Sequence, residues 1–195
     1  SLIGNNDIGI RQSLGVSADT KLVGYIGRLG PEKSLDTLVC ALSKIDRSDI
    51  HVVLVGTGDQ RPLLEKLSTR LGVDRRVHFL GYRSNVYEVL KQIDVYVQPS
   101  LYEGMPNAVM EAMAIACPVI ATSVDGNVEL IGDEHCGWLF KPQDSCALAG
   151  CINSVLDNPR ESAIRSTRAT NRLLADYTEQ QMIVKWKTLL EFPDP

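Results

Sequence analysis

Short apolar runs alternate with amphipathic stretches along most of the chain. KLVGYIG (21–27), HVVLVG (51–56), RVHFLG (76–81), DVYVQPS (94–100), PVIATS (118–123) and GWLF (137–140) have the length and Val/Ile/Leu content of buried strands. Between them lie helical patterns. Residues 31–45 place Leu35, Leu38, Val39, Leu42 and Ile45 on one face, and 60–71, 84–92 and 106–116 follow suit, with a shorter helical turn near 127–131. Unbroken apolar strands separated by amphipathic helices specify a parallel sheet covered on both faces, a doubly wound, Rossmann-like α/β domain. The pattern then changes: 143–157, 160–175 and 178–191 are three successive helices with no strand between them. The expected organisation is a polar linker or hinge over 1–20, the sheet domain over 21–158 and a helical tail over 159–195.

In open parallel sheets, ligands bind beyond the carboxyl ends of the strands. That directs attention to the loops at 27–33, 56–60, 80–84, 99–107 and 122–127. In GRLGPEKS (27–34), Gly27 and Gly30 permit a tight path and Pro31 is suited to open a helix. Lys33 then falls in a first helical turn, where the macrodipole disfavours a cation. It is either a solvated surface lysine, offset by Glu32 and Asp36, or it closes with Arg28 over an anion drawn to the helix N-terminus. GTGDQR (56–61) has the start of a dinucleotide fingerprint, but Arg61 replaces the third glycine, and no GxxxxGK[ST] occurs. Gly58 is therefore chiefly a turn residue whose neighbouring amides face a ligand at most secondarily. In GYRSN (81–85), Tyr82 and Arg83 are placed to meet a base, or else form a plain surface turn capped by Ser84 or Asn85.

The most distinctive stretch is SLYEGMPNAVMEAMAIACPVIATS (100–123), in which Glu103 and Glu111 stand eight positions apart among small and apolar residues. Pro106 is a natural first helical residue, so the unpaired amides of the helix start lie just after Glu103, Gly104 and Met105. Asn107 and Glu111 share a face as an i, i+4 pair and form a narrow polar stripe. The stripe either faces water or walls the crevice. A helix running straight into the Pro118 strand belongs to a central crossover, so full exposure is not expected. Carboxylates at such a wall can take paired hydrogen bonds from vicinal hydroxyls, and two of them suggest a ligand with two sugar rings and phosphates between.

The composition is that of an ordinary globular domain, with 44% hydrophobic and 23% charged residues. A formal net charge of −4 argues against non-specific nucleic-acid binding. The longest apolar stretch, Ala112 to Ala121, contains Pro118 and is too short to span a bilayer. The start, SLIGNNDIGIRQ, lacks the basic and hydrophobic regions of a secretion signal and reads as internal sequence. The five cysteines (40, 117, 136, 146, 151) have no Cys-x-x-Cys pair. They suggest neither a disulfide framework nor a zinc site, but buried free thiols in a reducing, cytoplasmic setting. His51, His78 and His135 are far apart, and the first two open strands, which favours structural roles.

GRLGPEK, VLVGTGDQRPLLEKL, VHFLGYR, DVYVQPSLYEGMPNAVMEAMAIACPVIAT and GNVELIGDEHCGWLFKPQD together span about residues 22 to 144. In that order they resemble the C-terminal, donor-binding domain of glycosyltransferase family 4, retaining enzymes of the GT-B architecture. The glutamate pair with seven residues between is the most specific element. The resemblance implies a hexosyltransferase acting from a nucleotide-sugar without cofactor or metal. Arg28 and Lys33 would hold the diphosphate and stabilise the leaving nucleotide, and Glu111 would bind the ribose hydroxyls. Glu103 would bind hydroxyls of the transferred sugar, and the backbone of Gly104, Met105, Pro106 and Asn107 would contact that sugar and the phosphates. Tyr82 and Arg83 would meet the base. It also implies an N-terminal acceptor domain outside this chain, through which any membrane contact would be made, at the inner face, in polysaccharide or glycolipid synthesis. Two departures stand out: GNNDIG replaces an Asn-Gly-Val-Asp-like hinge segment, and Asp125-Gly126 replaces a paired glycine. The competing readings are a GT-B-like sugar-nucleotide epimerase, disfavoured by the full basic and acidic set, and a non-catalytic nucleotide-binding module, which a degraded diphosphate loop would favour.

Overall fold

The computed structural model describes residues 9–132, 135–178 and 180–181. Six strands, β1 (Lys21–Ile26), β2 (Ile50–Val55), β3 (Val77–Gly81), β4 (Val95–Gln98), β5 (Val119–Thr122) and β6 (Trp138–Phe140), form one sheet in the order β3-β2-β1-β4-β5-β6. Every pairing is parallel, from Lys21 opposite Ile50 to Thr122 opposite Phe140. The doubly wound α/β fold expected from the apolar runs is the observed one.

Side chains alternate between the two faces with the two-residue period of a strand. Val23, Tyr25, Val52 and Leu54 join one core with α2 (Leu35–Ser43), α3 (Arg61–Arg70) and α7 (Ser145–Asp157). Leu22, Ile26, Val53 and Val55 join the other with α4 (Val86–Leu90), α5 (Asn107–Ala114), α6 (Asp125–Ile131) and α8 (Pro159–Asp176). Because both faces are covered, the strands read as unbroken apolar runs.

Several boundaries differ from expectation. Within the expected linker, Ile10–Leu14 forms a short helix, α1, docked on the domain. Ile10 enters the second core, and Arg11 donates to Asp94 Oδ2 at 2.6 Å. The helix expected from Pro31 is broken: Pro31–Lys33 is a 3-10 turn, and Ser34, left-handed at φ 46°, restarts the chain as α2. The α5 helix begins at Asn107, with Pro106 as its N-cap in extended conformation, one residue later than expected. Of the three helices expected after the sheet, α7 and α8 are present; residues 182–191 of the third lie outside the described residues. The α8 helix turns back on the sheet domain, where Thr170 Oγ1 donates to the Met113 carbonyl at 2.6 Å.

Only Cys117 and Cys136 are buried; Cys40 and Cys151 are half-buried and Cys146 is exposed, contrary to the expectation of buried thiols generally. Cys146 opens the first turn of α7, where neighbouring apolar residues in sequence point elsewhere. His51 and His78 meet across β2 and β3 with Nδ1 and Nε2 2.9 Å apart, a structural pairing as expected.

Candidate functional site

Strand order reverses between β1 and β4, and the loops that follow these two strands meet there. This is the switch point at which an open α/β sheet forms its crevice. The Leu101 amide donates to the Glu32 carbonyl at 2.8 Å, tying the two loops together. The left-handed Ser34 ends the 3-10 turn, and from that turn Lys33 Nζ reaches across to Glu103 Oε1 at 2.7 Å. Glu103 is held from below as well. Gln98 Nε2 and Ser100 Oγ donate to the same oxygen at 2.5 and 2.6 Å. Gln98 and Ser100 are 3% and 0% exposed, so the carboxylate rests on a buried polar floor.

Beneath that floor lie two tyrosines. Tyr96 Oη donates to Gln98 Oε1 at 2.5 Å, and Tyr25 Oη donates to the Arg28 carbonyl at 2.9 Å. Burial first, and then the Glu103 carboxylate, raises the Tyr25 phenol well above its ordinary range. Burial does the same for Tyr96, assisted by Tyr25, Glu103 and Glu111. Both therefore remain protonated donors.

The β5 side completes the support. Thr122 Oγ1 donates to the Ser100 carbonyl at 2.7 Å, and Asn127 Nδ2 donates to the Thr122 carbonyl at 3.0 Å. The start of α6 packs directly on the glutamate loop, with the Gly126 amide 3.2 Å from the Glu103 carbonyl. A Cβ at Gly126 would lie 2.0 Å from the Gly104 carbonyl oxygen. In the Asp125-Gly126 pair, Asp125 is exposed at the start of α6, whereas position 126 has no room for a side chain.

A cavity of about 360 Å³ opens beside this cluster over the ends of β1 and β2, floored by Ile26, Val55, Gly27 and Gly56 and walled by Arg28, Tyr82 and Arg83. Thr57 also lines it, whereas Gly58 does not. A Cβ at Gly58 would fall 2.2 Å from the Leu29 carbonyl oxygen, so this glycine lets the first two loops interlock. Its place is under the β1 loop, in keeping with the tight turn read from GTGDQR.

Glu111 lines a second, larger hollow of about 630 Å³ between α4 and α5, and Val86 borders both hollows. Asn107 and Glu111 are exposed, and Glu111 stands in the wall of this hollow. The reason is local. α4 is only a five-residue helix, too short to shield the outer face of α5. Pro106 is buried as the cap, while Gly104 and Met105 stand at the open rim with Tyr102. Arg28, Lys33, Glu103 and the 104–107 segment are thus gathered around the switch point, with Tyr82 and Arg83 on one side and Glu111 one helical turn away.

Gln98, Ser100, Tyr25, Tyr96, Thr122 and Asn127 were not anticipated as parts of the site. The signal for two of them lies in DVYVQPS, where Gln98 and Ser100 are polar residues ending an otherwise apolar central strand. Among the described residues, no group of three metal-ligating side chains occurs, and no helix is long and apolar enough to cross a membrane.

A basic loop after the first strand and a glutamate-bearing loop after the fourth, joined at the switch point of a six-stranded parallel sheet, define the Rossmann-like half of a GT-B glycosyltransferase. The chain belongs to the family described as Glycosyl transferases group 1, whose pattern matches residues 7–172. It is 36% identical over 154 residues to an uncharacterised glycosyltransferase of Methanocaldococcus jannaschii, covering 77% of this chain and 40% of that protein. It is 29% identical over 181 residues to the UDP-Gal:alpha-D-GlcNAc-diphosphoundecaprenol alpha-1,3-galactosyltransferase of Escherichia coli, covering 90% and 46% respectively. Among solved structures, Anabaena Alr3699/HepE in complex with UDP superposes with a TM-score of 0.84 at 28% identity, covering 91% of this chain and 51% of HepE. HepE in complex with UDP-glucose gives 0.83 at 29% identity, with the same coverage. The chain thus spans about half the length, or less, of these relatives. Neither an epimerase nor a non-catalytic module is favoured by them.

Proposed function

We propose that this chain is the nucleotide-sugar half of a retaining, family 4 hexosyltransferase, with a UDP-hexose as donor. The observation that carries the reading is the Lys33–Glu103 contact at the switch point, beside a cavity walled by Arg28, Tyr82 and Arg83. The base enters that cavity, against Tyr82 and Arg83. The diphosphate lies over the 27–33 loop, where the Arg28 and Lys33 cations neutralise charge in place of a metal. Glu111 accepts from the ribose hydroxyls. Glu103, together with the backbone of Gly104, Met105 and Asn107, takes the transferred sugar, and Pro106 fixes the turn that presents those groups. UDP is favoured because HepE, similar over nearly the whole of this chain, was crystallised with UDP and with UDP-glucose.

In the transfer, the acceptor hydroxyl oxygen forms a bond to the anomeric carbon as the bond from that carbon to the β-phosphate oxygen breaks. The acceptor's proton passes to the departing phosphate. Attack from the same face gives retention, and Glu103 serves as a sugar-binding residue near the reacting carbon. The acceptor is selected by an N-terminal domain beyond this chain, which also makes any contact with the inner face of the membrane. Partners are thus the nucleotide-sugar and that domain, with no nucleic acid. The setting is cytoplasmic and the product an envelope polysaccharide or glycolipid.

The test is calorimetric titration of the chain with UDP, GDP and ADP, with and without EDTA. UDP alone binding, unaffected by EDTA, supports the reading. A preference for GDP or ADP changes the base, and dependence on a divalent cation overturns the metal-free arrangement.

A further inference from the structure

Three hydrogen bonds converge on one oxygen of Glu103, and two of them come from buried side chains that touch nothing outside the protein. Gln98 sits at the end of β4, and its amide has a fixed polarity. Tyr96, a phenol kept protonated by burial, donates to Gln98 Oε1 at 2.5 Å. That leaves Nε2 to donate to Ser100 Oγ at 2.9 Å and to Glu103 Oε1 at 2.5 Å. Ser100, having accepted from Gln98, spends its own proton on Glu103 Oε1 at 2.6 Å. A flipped Gln98 amide would set its oxygen against the Glu103 carboxylate oxygen and leave the Tyr96 hydroxyl only its longer bond to the Ile26 carbonyl at 3.4 Å, which fixes the direction of the chain of donors. Lys33 supplies the third bond, but from a side chain that is 21% exposed and that the proposed diphosphate would compete for.

We infer that Gln98 is a positioning residue. Held by Tyr96 and acting with Ser100, it pins Glu103 Oε1 and so leaves Oε2 for hydroxyls of the donor's hexose. This rests on the reading of Glu103 as the sugar-binding carboxylate. The floor persists when Lys33 leaves for the diphosphate, so the carboxylate keeps its place while its salt bridge is exchanged. A carboxylate with one oxygen fixed has lost most of its rotational freedom before the sugar arrives, and less ordering remains to oppose binding. Gln98 and Ser100 line neither the hollow beside Arg28 nor the one beside Glu111, so the arrangement is expected to act on the hexose and not on the nucleotide.

The experiment is calorimetric titration of the chain with UDP and separately with UDP-glucose and UDP-galactose. The variants are Gln98→Met, which keeps the volume and removes the donor, and Ser100→Ala, a smaller change that serves if the first does not fold. Both are expected to bind UDP within about twofold of wild type and to bind the better of the two UDP-hexoses roughly tenfold more weakly, the scale of one charge-assisted hydrogen bond. In a Glu103→Ala background, Gln98→Met is expected to have no further effect on UDP-hexose affinity, since the residue acts only through the carboxylate. Equal weakening of UDP and UDP-hexose, an undiminished UDP-hexose affinity, or an additive effect in the Glu103→Ala background overturns the proposal while leaving the donor site standing. Wild-type chain that binds UDP but gains nothing from the hexose also overturns it. Wild-type chain that binds neither overturns the donor-site reading itself, and the positioning role with it.

Discussion

Lys33 Nζ lies 2.7 Å from Glu103 Oε1, joining the loops that follow β1 and β4 across the point where the strand order reverses. The pair is partly shielded, with side chains 21% and 10% exposed, and the proposed donor needs both partners for different purposes. In the proposed complex the lysine would go to the diphosphate and the glutamate to the hexose. Lys33 and Glu103 neutralise one another across the loops, and the proposed donor would exchange that ion pair for one with its diphosphate.

Removing the carboxylate charge should separate the two purposes. Glu103→Gln releases Lys33 from its partner, and UDP is expected to bind a few-fold more tightly, corresponding to about 0.5–1 kcal/mol for a partly exposed pair. UDP-hexose should gain less or weaken, because the hexose loses a charged acceptor. Calorimetry with both ligands checks this; UDP weakened by Glu103→Gln would show that the pair does not compete with the diphosphate.

The cations themselves give a stronger expectation. Replacing Arg28 and Lys33 together by alanine removes two charge-assisted contacts to phosphate, and UDP affinity should fall by roughly 100-fold or more. Wild-type affinity should also fall as salt rises, since part of the site is open to solvent, and the double variant should lose most of that dependence. Titrations at low and high salt on both proteins test this, and an unchanged salt slope would place the diphosphate elsewhere.

Much of this arrangement was legible in the chain. The parallel sheet follows from unbroken Val/Ile/Leu runs, because strands covered on both faces need no alternation. The Arg28/Lys33 and Glu103/Glu111 sets were visible because charge and Gly/Pro turns cluster in loops after strands. What was hidden depends on neighbours distant in sequence. The sequence leaves Glu111 either facing water or walling a crevice, and the choice depends on α4, a five-residue helix that leaves a hollow beside it. The helix expected from Pro31 breaks at the left-handed Ser34, and Lys33 lies in the 3-10 turn before it; Pro31 in itself would equally have opened a continuous helix. The floor of Gln98 and Ser100 was overlooked because a strand reading asks which residues are apolar, and these two are buried for their hydrogen bonds.

Glycines at the site should differ sharply in what they tolerate. An alanine at 126 would press its Cβ to 2.0 Å from the Gly104 carbonyl oxygen, and one at 58 to 2.2 Å from the Leu29 carbonyl oxygen. Neither backbone oxygen can move without shifting a loop of the site, so Gly126→Ala and Gly58→Ala should each cost about 1–3 kcal/mol. At Gly104 a Cβ meets nothing within 4 Å, and Gly104→Ala should leave stability within about 0.5 kcal/mol. Urea unfolding midpoints of the three variants test the contrast; equal losses would show that close approach is not what fixes positions 58 and 126.

The His51–His78 pair carries an expectation for pH. Both imidazoles sit below their ordinary value of 6.5, in each case chiefly because burial disfavours the charged ring. Arg76 adds to the effect on His51, and His51 adds to that on His78, while Asp49 and the Ser48 backbone oppose it in part. The sign follows from linkage: with the folded values depressed, the unfolded chain binds more protons as pH falls below about 6.5, and stability must decline there. The contribution is complete above that pH and is lost toward the depressed folded values. Asp49, whose carboxyl is lowered below 3.8 chiefly by its hydrogen bond from Arg47, acts in a separate and more acidic window. Urea midpoints measured near pH 7.5 and near pH 5.5 should therefore fall for the wild type. The drop should be smaller for His51→Gln/His78→Gln, which keeps polar groups at both positions and removes the titration. An equal drop in the two proteins would assign the acid sensitivity to other groups.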